Sequence, residues 1–311
     1  MDLSASSKTF VSVGNLNIDI VMFVSRSPRA GEGLVADDLW LGPGGAATNY
    51  AVAVAKLGHR VSLVAIASSL ALKLGLLETL RSLGVDVSHV IVSEGPPSVA
   101  SVVVSREDSS RTIISYRGVS SHLSHDHIPR AGDHFHFASV SPGVVLGYVA
   151  ENPERAVSYD PGAEVRRDRE GVFRALKSVE IAIVARQELE ALLGSAELER
   201  ACRLLERGSR AEVAVVKMGE RGAVALTRGK SYLVESPRVR VVDTTGAGDA
   251  FDAGFTVGLV EESDVEWALR LGVAMGSLKV TLKGSSSMPD RRAAVELAES
   301  LASRELSLDC S

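Results

Sequence analysis

The sequence predicts an α/β fold in which a mostly parallel central sheet is covered by helices on both faces. Short apolar runs alternate with helix-compatible runs along most of the chain, and the apolar runs are largely continuous. Continuous apolar strands are typical of parallel sheets, because helices bury both of their faces. Several helix-compatible runs end at a glycine, such as Gly58 and Gly84, which is a common helix stop.

The individual elements follow this alternation in order. Strands are predicted at 9–13, 62–67, 134–137, 157–159, 181–184, 213–217 and 223–227. Helices are predicted at 46–57, 72–83, 188–193, 196–207, 248–259, 265–282 and 290–303. No internal repeat or long linker divides them, so we expect a single domain over residues 1–311.

Two β-prone segments interrupt the alternation. Residues 18–40 contain β-prone residues followed by a proline and two glycines, and residues 99–115 read as a hairpin of strands 99–105 and 111–115. Extra β segments inserted between helix–strand units predict a small sheet set apart from the main one.

Composition excludes several classes of protein. A formal net charge of −5 gives no basic surface for nucleic acid. No apolar run is long enough to predict a membrane-spanning helix, and the first residues lack the apolar core of a signal peptide. Cys202 and Cys310 are the only cysteines, so we expect neither a disulfide nor a zinc site, and a reducing cytoplasm as the location.

The most informative segment is the glycine-rich turn before the predicted helix 248–259. Gly246, Ala247 and Gly248 leave backbone N–H groups unobstructed at a helix start, where free N–H groups and the helix dipole bind anions. Asp249 at the same terminus can accept the proton of a hydroxyl that attacks a phosphoryl group. The alternative is a plain glycine turn in which Asp249 serves as the helix N-cap.

A second group of polar and glycine residues lies near the N-terminus. Gly44 and Gly45 permit close approach of the backbone to a polyhydroxylated ligand, and Asn49 follows one turn into the next helix. Asn17 and Asp19 stand at alternate positions after the first strand, so their side chains point the same way. The alternative is that these polar groups face solvent.

Asp160 ends a predicted strand, and ligands of such sheets bind outside the carboxyl ends of the strands. It either faces a ligand or caps the turn that follows. The sequence contains neither a P-loop signature nor a dinucleotide-binding fingerprint, so the phosphate chemistry of those two classes is excluded.

Two signatures together resemble those of the ribokinase-like (PfkB) carbohydrate kinases. Residues 243–255 resemble the C-terminal signature, and residues 44–51 with Gly58 resemble the N-terminal one. Further similarity lies at 14–19, 116–118, 160–162 and 218–222, so the resemblance covers nearly the whole chain. It implies the ribokinase-like three-layer α/β/α fold, with 18–40 and 99–115 forming a β lid over the sugar site. In this family the lid is often also a dimer surface, and we expect a homodimer.

The resemblance implies an ATP-dependent kinase that phosphorylates a hydroxyl of a sugar or sugar-like molecule. Asp249 is then the base, and the amides of Gly246, Ala247 and Gly248 stabilise the charge on the transferred phosphoryl group. The acceptor is left open between a free sugar or sugar acid, a nucleoside, and a sugar phosphate held by Arg117. A catalytically weak ligand sensor is the alternative from another class.

The matching family positions also assign ligand contacts. The residues assigned to sugar binding are Asn17, Asp19, Gly44, Gly45, Asn49 and Asp160. The residues assigned to the nucleotide are Lys217, Gly219, Gly222, Thr244, Gly246 and Gly248. Relatives often have Thr or Ser in place of Lys217, where a lysine either meets a nucleotide phosphate or is solvated.

The chain departs from the family pattern where an Asn-x-x-Glu motif is usual. Ala185 replaces the Asn, while Glu188 keeps the Glu that helps to order magnesium through water. We expect magnesium to be used nonetheless, because the charge of a triphosphate must be neutralised. Ser68 and Ser69 also stand where relatives often have Gly-Asp. The resemblance leaves open whether a monovalent cation is needed.

Overall fold

The computed structural model describes residues 7–107, 110–308 and 310. Within that part of the chain lie fourteen strands and ten α-helices. The strands are β1 (Thr9–Gly14), β2 (Asn17–Val24), β3 (Asp38–Gly44), β4 (Arg60–Ser68), β5 (Val90–Ser93), β6 (Val99–Ser105), β7 (Arg111–Tyr116), β8 (His134–Ala138), β9 (Val157–Asp160), β10 (Ile181–Ala185), β11 (Val213–Lys217), β12 (Ala223–Leu226), β13 (Ser231–Val234) and β14 (Ser303–Leu306). The helices are α1 (Ala46–Lys56), α2 (Ser69–Lys73), α3 (Leu76–Ser82), α4 (Pro142–Glu151), α5 (Arg169–Ser178), α6 (Arg186–Leu193), α7 (Leu198–Ala201), α8 (Ala247–Glu262), α9 (Val265–Lys279) and α10 (Arg291–Ser300).

The main sheet has the strand order β14-β13-β12-β11-β10-β9-β8-β1-β4-β5. From β5 to β11 every neighbouring pair is parallel. The strands β12, β13 and β14 extend the sheet by antiparallel pairing. The carboxyl ends of the parallel strands therefore meet at one edge, which is where ligands bind in open α/β sheets.

Both faces of the main sheet are buried, which confirms the three-layer α/β/α fold. Side chains of β1 alternate between the two faces. Val11 and Val13 pack in the apolar cluster that includes residues of α4, α5 and α6. Phe10 packs in the cluster on the other face, which includes residues of α1, α8 and α9. The apolar runs of the sequence are continuous because each central strand is covered twice.

The two interrupting segments form a separate sheet of four strands in the order β3-β2-β6-β7. One face packs together through Val21, Phe23, Val102 and Val104, with Trp40 at its margin. The strand β7 is exposed along its whole length, including the side chains of Ile113, Ile114 and Tyr116. The small sheet that the sequence predicts is therefore present, and one side of it exposes apolar side chains.

The predicted core strands are all present, whereas several helix boundaries differ. The predicted helix 72–83 is two helices, α2 and α3, because Gly75 between them takes a left-handed conformation with φ of 72°. The predicted helix 196–207 is the single turn α7 followed by a 3-10 turn over Cys202–Leu204. In the described residues no helix combines the length and the apolar character needed to cross a bilayer.

The expectation of two free cysteines is wrong, because Cys202 and Cys310 form a disulfide with their Cα atoms 4.9 Å apart. The two residues are separated by 108 positions in the chain. The strand β14 pairs antiparallel with β13 and returns the chain to the core beside α7, where Cys310 is buried. Cysteine number and spacing could not reveal this proximity, since it arises from the pairing of the final strand.

Candidate active site

The carboxyl edge of the parallel strands brings together residues that are far apart in sequence. Asp160 is the last residue of β9, and Lys217 is the last residue of β11. Ala185 at the end of β10 stands beside Lys217 in the parallel register. The helix α8 begins at the same edge. The charges of both Lys217 and Asp160 act on the pKa of its third residue, Asp249.

The position of Asp249 excludes the N-cap alternative. Gly246 is the N-cap of α8, and Asp249 lies inside the first turn of the helix. Its carboxylate Oδ2 accepts a hydrogen bond of 2.7 Å from Nδ2 of Asn49, although 200 residues separate the two. Burial raises the pKa of Asp249 to about 6, while the bond from Asn49 and the charge of Lys217 act in the opposite direction. A carboxylate with such a pKa is ionised near neutral pH and can still accept a proton.

The turn before α8 needs glycine for two reasons. Gly246 has φ of 82°, in the left-handed region, and a Cβ there would lie 2.5 Å from the carbonyl oxygen of Ser285. At Gly248 a Cβ would stand 3.3 Å from the Lys217 ammonium. The N–H of Ala247 donates to the carbonyl oxygen of Thr244 at 3.3 Å. The next N–H groups of the first turn, those of Gly248 and Asp249, have no acceptor within the helix and are available to an anion. The turn therefore has the geometry of an anion-binding helix terminus.

A buried ion cluster connects β9, β11 and α8. The Lys217 ammonium donates to Oδ2 of Asp160 at 2.7 Å and to Oδ1 of Asp252 at 2.9 Å. Burial opposes the charge on Lys217, but the two carboxylates outweigh it and raise its pKa. Lys217 lowers the pKa of Asp160, although burial acts the other way. Lys217 and Asp160, predicted for nucleotide and sugar respectively, are thus direct partners of each other.

Asp19 lies on β2 and is 3 % exposed. Gly44 faces it closely, since a Cβ on that glycine would fall 1.9 Å from the Asp19 carboxylate. Among the described residues Oδ1 of Asp19 has no hydrogen-bond partner. Burial, together with the nearby charges of Asp249 and Asp243, raises its pKa to about 7, while the neighbouring Ser285 hydroxyl acts in the opposite direction. An unpaired buried carboxylate oxygen is costly, so it points to a ligand that donates to it.

Other residues predicted for the sugar surround this carboxylate. Asn17 is buried two residues before Asp19 on β2 and pairs with Gly44 of β3. Gly45 is the N-cap of α1, and the backbone N–H of Asn49 donates to its carbonyl. The side-chain Oδ1 of Asn49 has no partner among the described residues. Oδ1 of Asp19 on β2 and Oδ1 of Asn49 on α1 are thus two buried acceptor atoms of the predicted sugar site that have no donor among the described residues.

Glu188 stands in the first turn of α6, where its Oε2 accepts the backbone N–H of Ala185 at 2.8 Å. Burial is the main reason that its pKa rises to about 7, and the negative charge of Asp160 adds to this. The charges of Lys217 and Asp160 therefore act on Glu188.

Gly222, predicted to contact the nucleotide, stands where no side chain fits, because a Cβ there would lie 1.9 Å from the carbonyl oxygen of Val234. Gly219 begins the short 3-10 turn that precedes it.

Sequence reasoning missed three residues that contact the glycine turn. Arg111 at the start of β7 donates to the Thr244 hydroxyl at 2.7 Å, which links the small sheet to the turn. Asp243 accepts the N–H of Thr245 at 2.9 Å and that of Gly284 at 3.0 Å. Lys279 is fully buried, and its Cε would lie 3.4 Å from a Cβ on Gly246. Only Asp243 carried a signal, because it belongs to the C-terminal signature.

Fold and site define a phosphotransferase class in which a helix terminus binds the phosphoryl group and a carboxylate stands beside it. Residues 7–291 match the model of the pfkB family of carbohydrate kinases. The chain therefore belongs to this family, and it is an ATP-dependent kinase that acts on a hydroxyl of a sugar or sugar-like acceptor.

Several relatives agree with the match. The ribokinase of Haemophilus influenzae is 27% identical over 310 residues, covering 94% of this chain and 99% of the relative. An ATP-dependent ribose-1-phosphate kinase of Halopiger xanaduensis is 30% identical, covering 90% and 94%. Among solved structures, the ribokinase of Thermotoga maritima superimposes with a TM-score of 0.80 at 25% identity, covering 94% of this chain and 99% of that one. A nucleoside kinase of Methanocaldococcus jannaschii has a TM-score of 0.81 at 24% identity, covering 95% and 100%.

Proposed function

We propose that the chain phosphorylates a neutral polyhydroxylated sugar, with Asp249 as the general base. The observation that carries this is the bond between Asn49 and Asp249, which joins the proposed sugar site to the proposed catalytic site. Asp249 takes the proton of the attacking hydroxyl. The amides of Gly246, Ala247 and Gly248 bind the transferred phosphoryl group.

The acceptor is held by Asn17, Asp19, Asn49 and the backbone of Gly44 and Gly45. The charge of the site favours a neutral acceptor over a sugar phosphate. Asp19, Asp243 and Asp249 lie close enough that the last two raise the pKa of the first. Arg117, the proposed alternative phosphate ligand, is already paired with the buried Glu164. The phosphate of a sugar phosphate would be repelled by these carboxylates, and Arg117 is not free to pair with it.

The nucleotide is proposed to lie along Thr244, Lys217, Gly219 and Gly222, with its γ-phosphate at the start of α8. Magnesium neutralises the triphosphate charge, and Glu188 acts on it through water. Carboxylate oxygens are the ligands that Mg²⁺ prefers, and Glu188 keeps one oxygen that the N–H of Ala185 does not use. Asp160 contributes to substrate positioning through its pair with Lys217.

Acceptor class is tested by assaying ADP release with ATP and magnesium against ribose, deoxyribose, fructose, ribose-1-phosphate, adenosine and cytidine. We expect a free sugar to give a kcat/KM at least about tenfold above that of any phosphorylated acceptor. Preference for a nucleoside would move the assignment to that alternative. Preference for ribose-1-phosphate would contradict the charge argument, and no turnover with any class of acceptor would favour the sensor alternative.

We also propose that the small sheet β3-β2-β6-β7 is a lid. It carries Asp19 and packs on the main body through Ile18, Ile20 and Val99. Two polar contacts add to this packing. Arg111 bonds the Thr244 hydroxyl, and Asp38 forms an ion pair with Lys283. The exposed apolar side chains of β7 are proposed as a homodimer surface. The disulfide removes the argument for a reducing location that rested on the cysteines. The cytoplasm remains our proposed location because ATP is consumed there.

Acceptor binding should order this lid. We expect slow ATP hydrolysis without acceptor, because water competes for the γ-phosphate only when the site is assembled. Amide exchange should slow in β2, β3, β6 and β7 when the preferred sugar is added. The buried strands β1 and β11 serve as internal controls, and a sugar that is not turned over serves as the ligand control. Fast acceptor-independent hydrolysis with unchanged exchange would leave only a contact role for the sheet.

A further inference from the structure

Lys279, the last residue of α9, is 0% exposed. Lysine is almost never fully buried unless it is paired with a carboxylate. The Lys279 ammonium has a single hydrogen bond among the described residues, a long one of 3.4 Å to the carbonyl oxygen of Leu282. Burial lowers its pKa, and the charges of Asp243 and Asp249 act against this. The fold therefore holds an expensive charge at a place where packing alone would favour a methionine or leucine.

Among the described residues no carboxylate bonds the Lys279 ammonium directly. The two carboxylate oxygens of Asp243 accept the N–H of Thr245 and that of Gly284, which fixes the Asp243 side chain in the turn. The stem of Lys279 lies against the glycine turn, since a Cβ on Gly246 would stand 3.4 Å from its Cε. Lys279 is thus placed beside Gly246, one of the residues proposed to bind the phosphoryl group.

We propose that Lys279 is a built-in cation that acts through the glycine turn. Its charge stabilises the negative charge that gathers in front of Gly246 during transfer, and it offsets the acidic field of Asp243 and Asp249. Lys279 is assigned as a positioning residue, because its proposed effect on the transferred group is exerted through the glycine turn. The consequence is that turnover needs no added monovalent cation, which the sequence had left open. The inference rests on the proposed roles of Asp249 and the glycine turn.

The first test uses the parent enzyme in tetramethylammonium chloride against the same concentration of potassium chloride. We expect the two kcat values to agree within about twofold, because the charge is covalently present. Activation by potassium of more than about fivefold would overturn the proposal. This measurement needs no variant and so cannot fail through misfolding.

The second test compares Lys279→Met, which keeps the volume, with Lys279→Ala, which leaves a space. In potassium-free buffer we expect both to lose roughly 10–100-fold in kcat, with the acceptor KM within about threefold of the parent. The unfolding temperature of the methionine variant should equal or exceed that of the parent, because a buried charge has been removed. A merely structural lysine would give a lower unfolding temperature together with the loss of rate.

Added potassium or ammonium should restore the alanine variant by at least about threefold and leave the methionine variant unchanged. Lys230→Met, at an exposed lysine that pairs with Glu305, is the control and should retain parental kcat. A kcat of either Lys279 variant within about twofold of the parent would overturn the proposal, as would equal restoration of both or of neither. If Asp249→Asn also retained activity, the proposed base rather than Lys279 would be in error.

Discussion

Replacing Asp249 with Asn should lower kcat by at least roughly 100-fold, the usual scale for loss of a general base. Asparagine keeps the size of the side chain but cannot accept the hydroxyl proton. Acceptor and nucleotide affinities should stay close to those of the parent, because the Asn49 contact and the glycine turn remain. Steady-state assays and calorimetry separate the two effects. A kcat within about threefold of the parent would remove Asp249 from the proposed mechanism.

The pH dependence of the rate tests the role of Asp249 as the base independently. The base must be ionised to act, and its pKa is about 6. At saturating acceptor the parent kcat should therefore fall as pH drops through about 6, and the residual kcat of Asp249→Asn should lack that limb. Asp264→Asn is the matched control, since Asp264 is a true helix N-cap that bonds the N–H groups of Glu266 and Trp267. It should keep both rate and profile.

The second large effect is expected for Asp19→Ala. Loss of hydrogen bonds to a charged acceptor should weaken sugar binding by about 1.5–3 kcal/mol, while nucleotide affinity hardly changes. Titration calorimetry with each ligand measures both. Asp37→Ala is the control beside the same small sheet, because Asp37 is exposed and its ion-pair partner Arg106 directly follows β6 rather than belonging to the main body. Equal weakening of both ligands would make Asp19 structural.

Asp19 should also reduce stability at high pH. Its pKa is about 7 in the folded protein against an ordinary 3.8. A raised pKa means that the folded state binds the proton more tightly, so this contribution is full below about pH 4 and lost as pH rises through about 7. Asp19→Asn should therefore unfold at a higher temperature than the parent near pH 8, by an amount that vanishes near pH 4. A pH-independent difference would contradict the pKa shift as its cause.

Local pattern was sufficient for the core of the fold. The continuous apolar runs of β1 and β11 predicted their burial on both faces, because strand periodicity needs only a few residues. The helix break at Gly75 was not predicted, since a glycine inside an apolar run is equally compatible with a continuous helix. The strands β5, β13 and β14 were missed, because they are short strands near the edges of the sheet, where pairing rather than periodicity decides.

The residues of the candidate site also include some that the sequence singled out and some that it missed. Asp249 and Asp19 stand in recognisable motifs, so the sequence singled them out, while their roles remain predictions. Their mutual effect on pKa depends on contacts between β2 and α8 that no local pattern encodes. Arg111 and Lys279 had no motif, because a charged residue becomes informative only when its burial or its distant partner is known. The disulfide was mispredicted for the same reason.

The ion cluster around Lys217 has a consequence for how such an enzyme can diversify. It joins α8 to β9 and β11 by charge, so the proposed base moves as one body with the main sheet. Asp19, in contrast, belongs to a different sheet, which packs on this body through Ile18, Ile20 and Val99. Part of the proposed acceptor site is therefore encoded apart from the base, while Asn49 of α1, which bonds Asp249, belongs to the main body. Exchange of β2, β3, β6 and β7 between relatives is thus a route to new acceptors that leaves the phosphoryl-transfer apparatus in place.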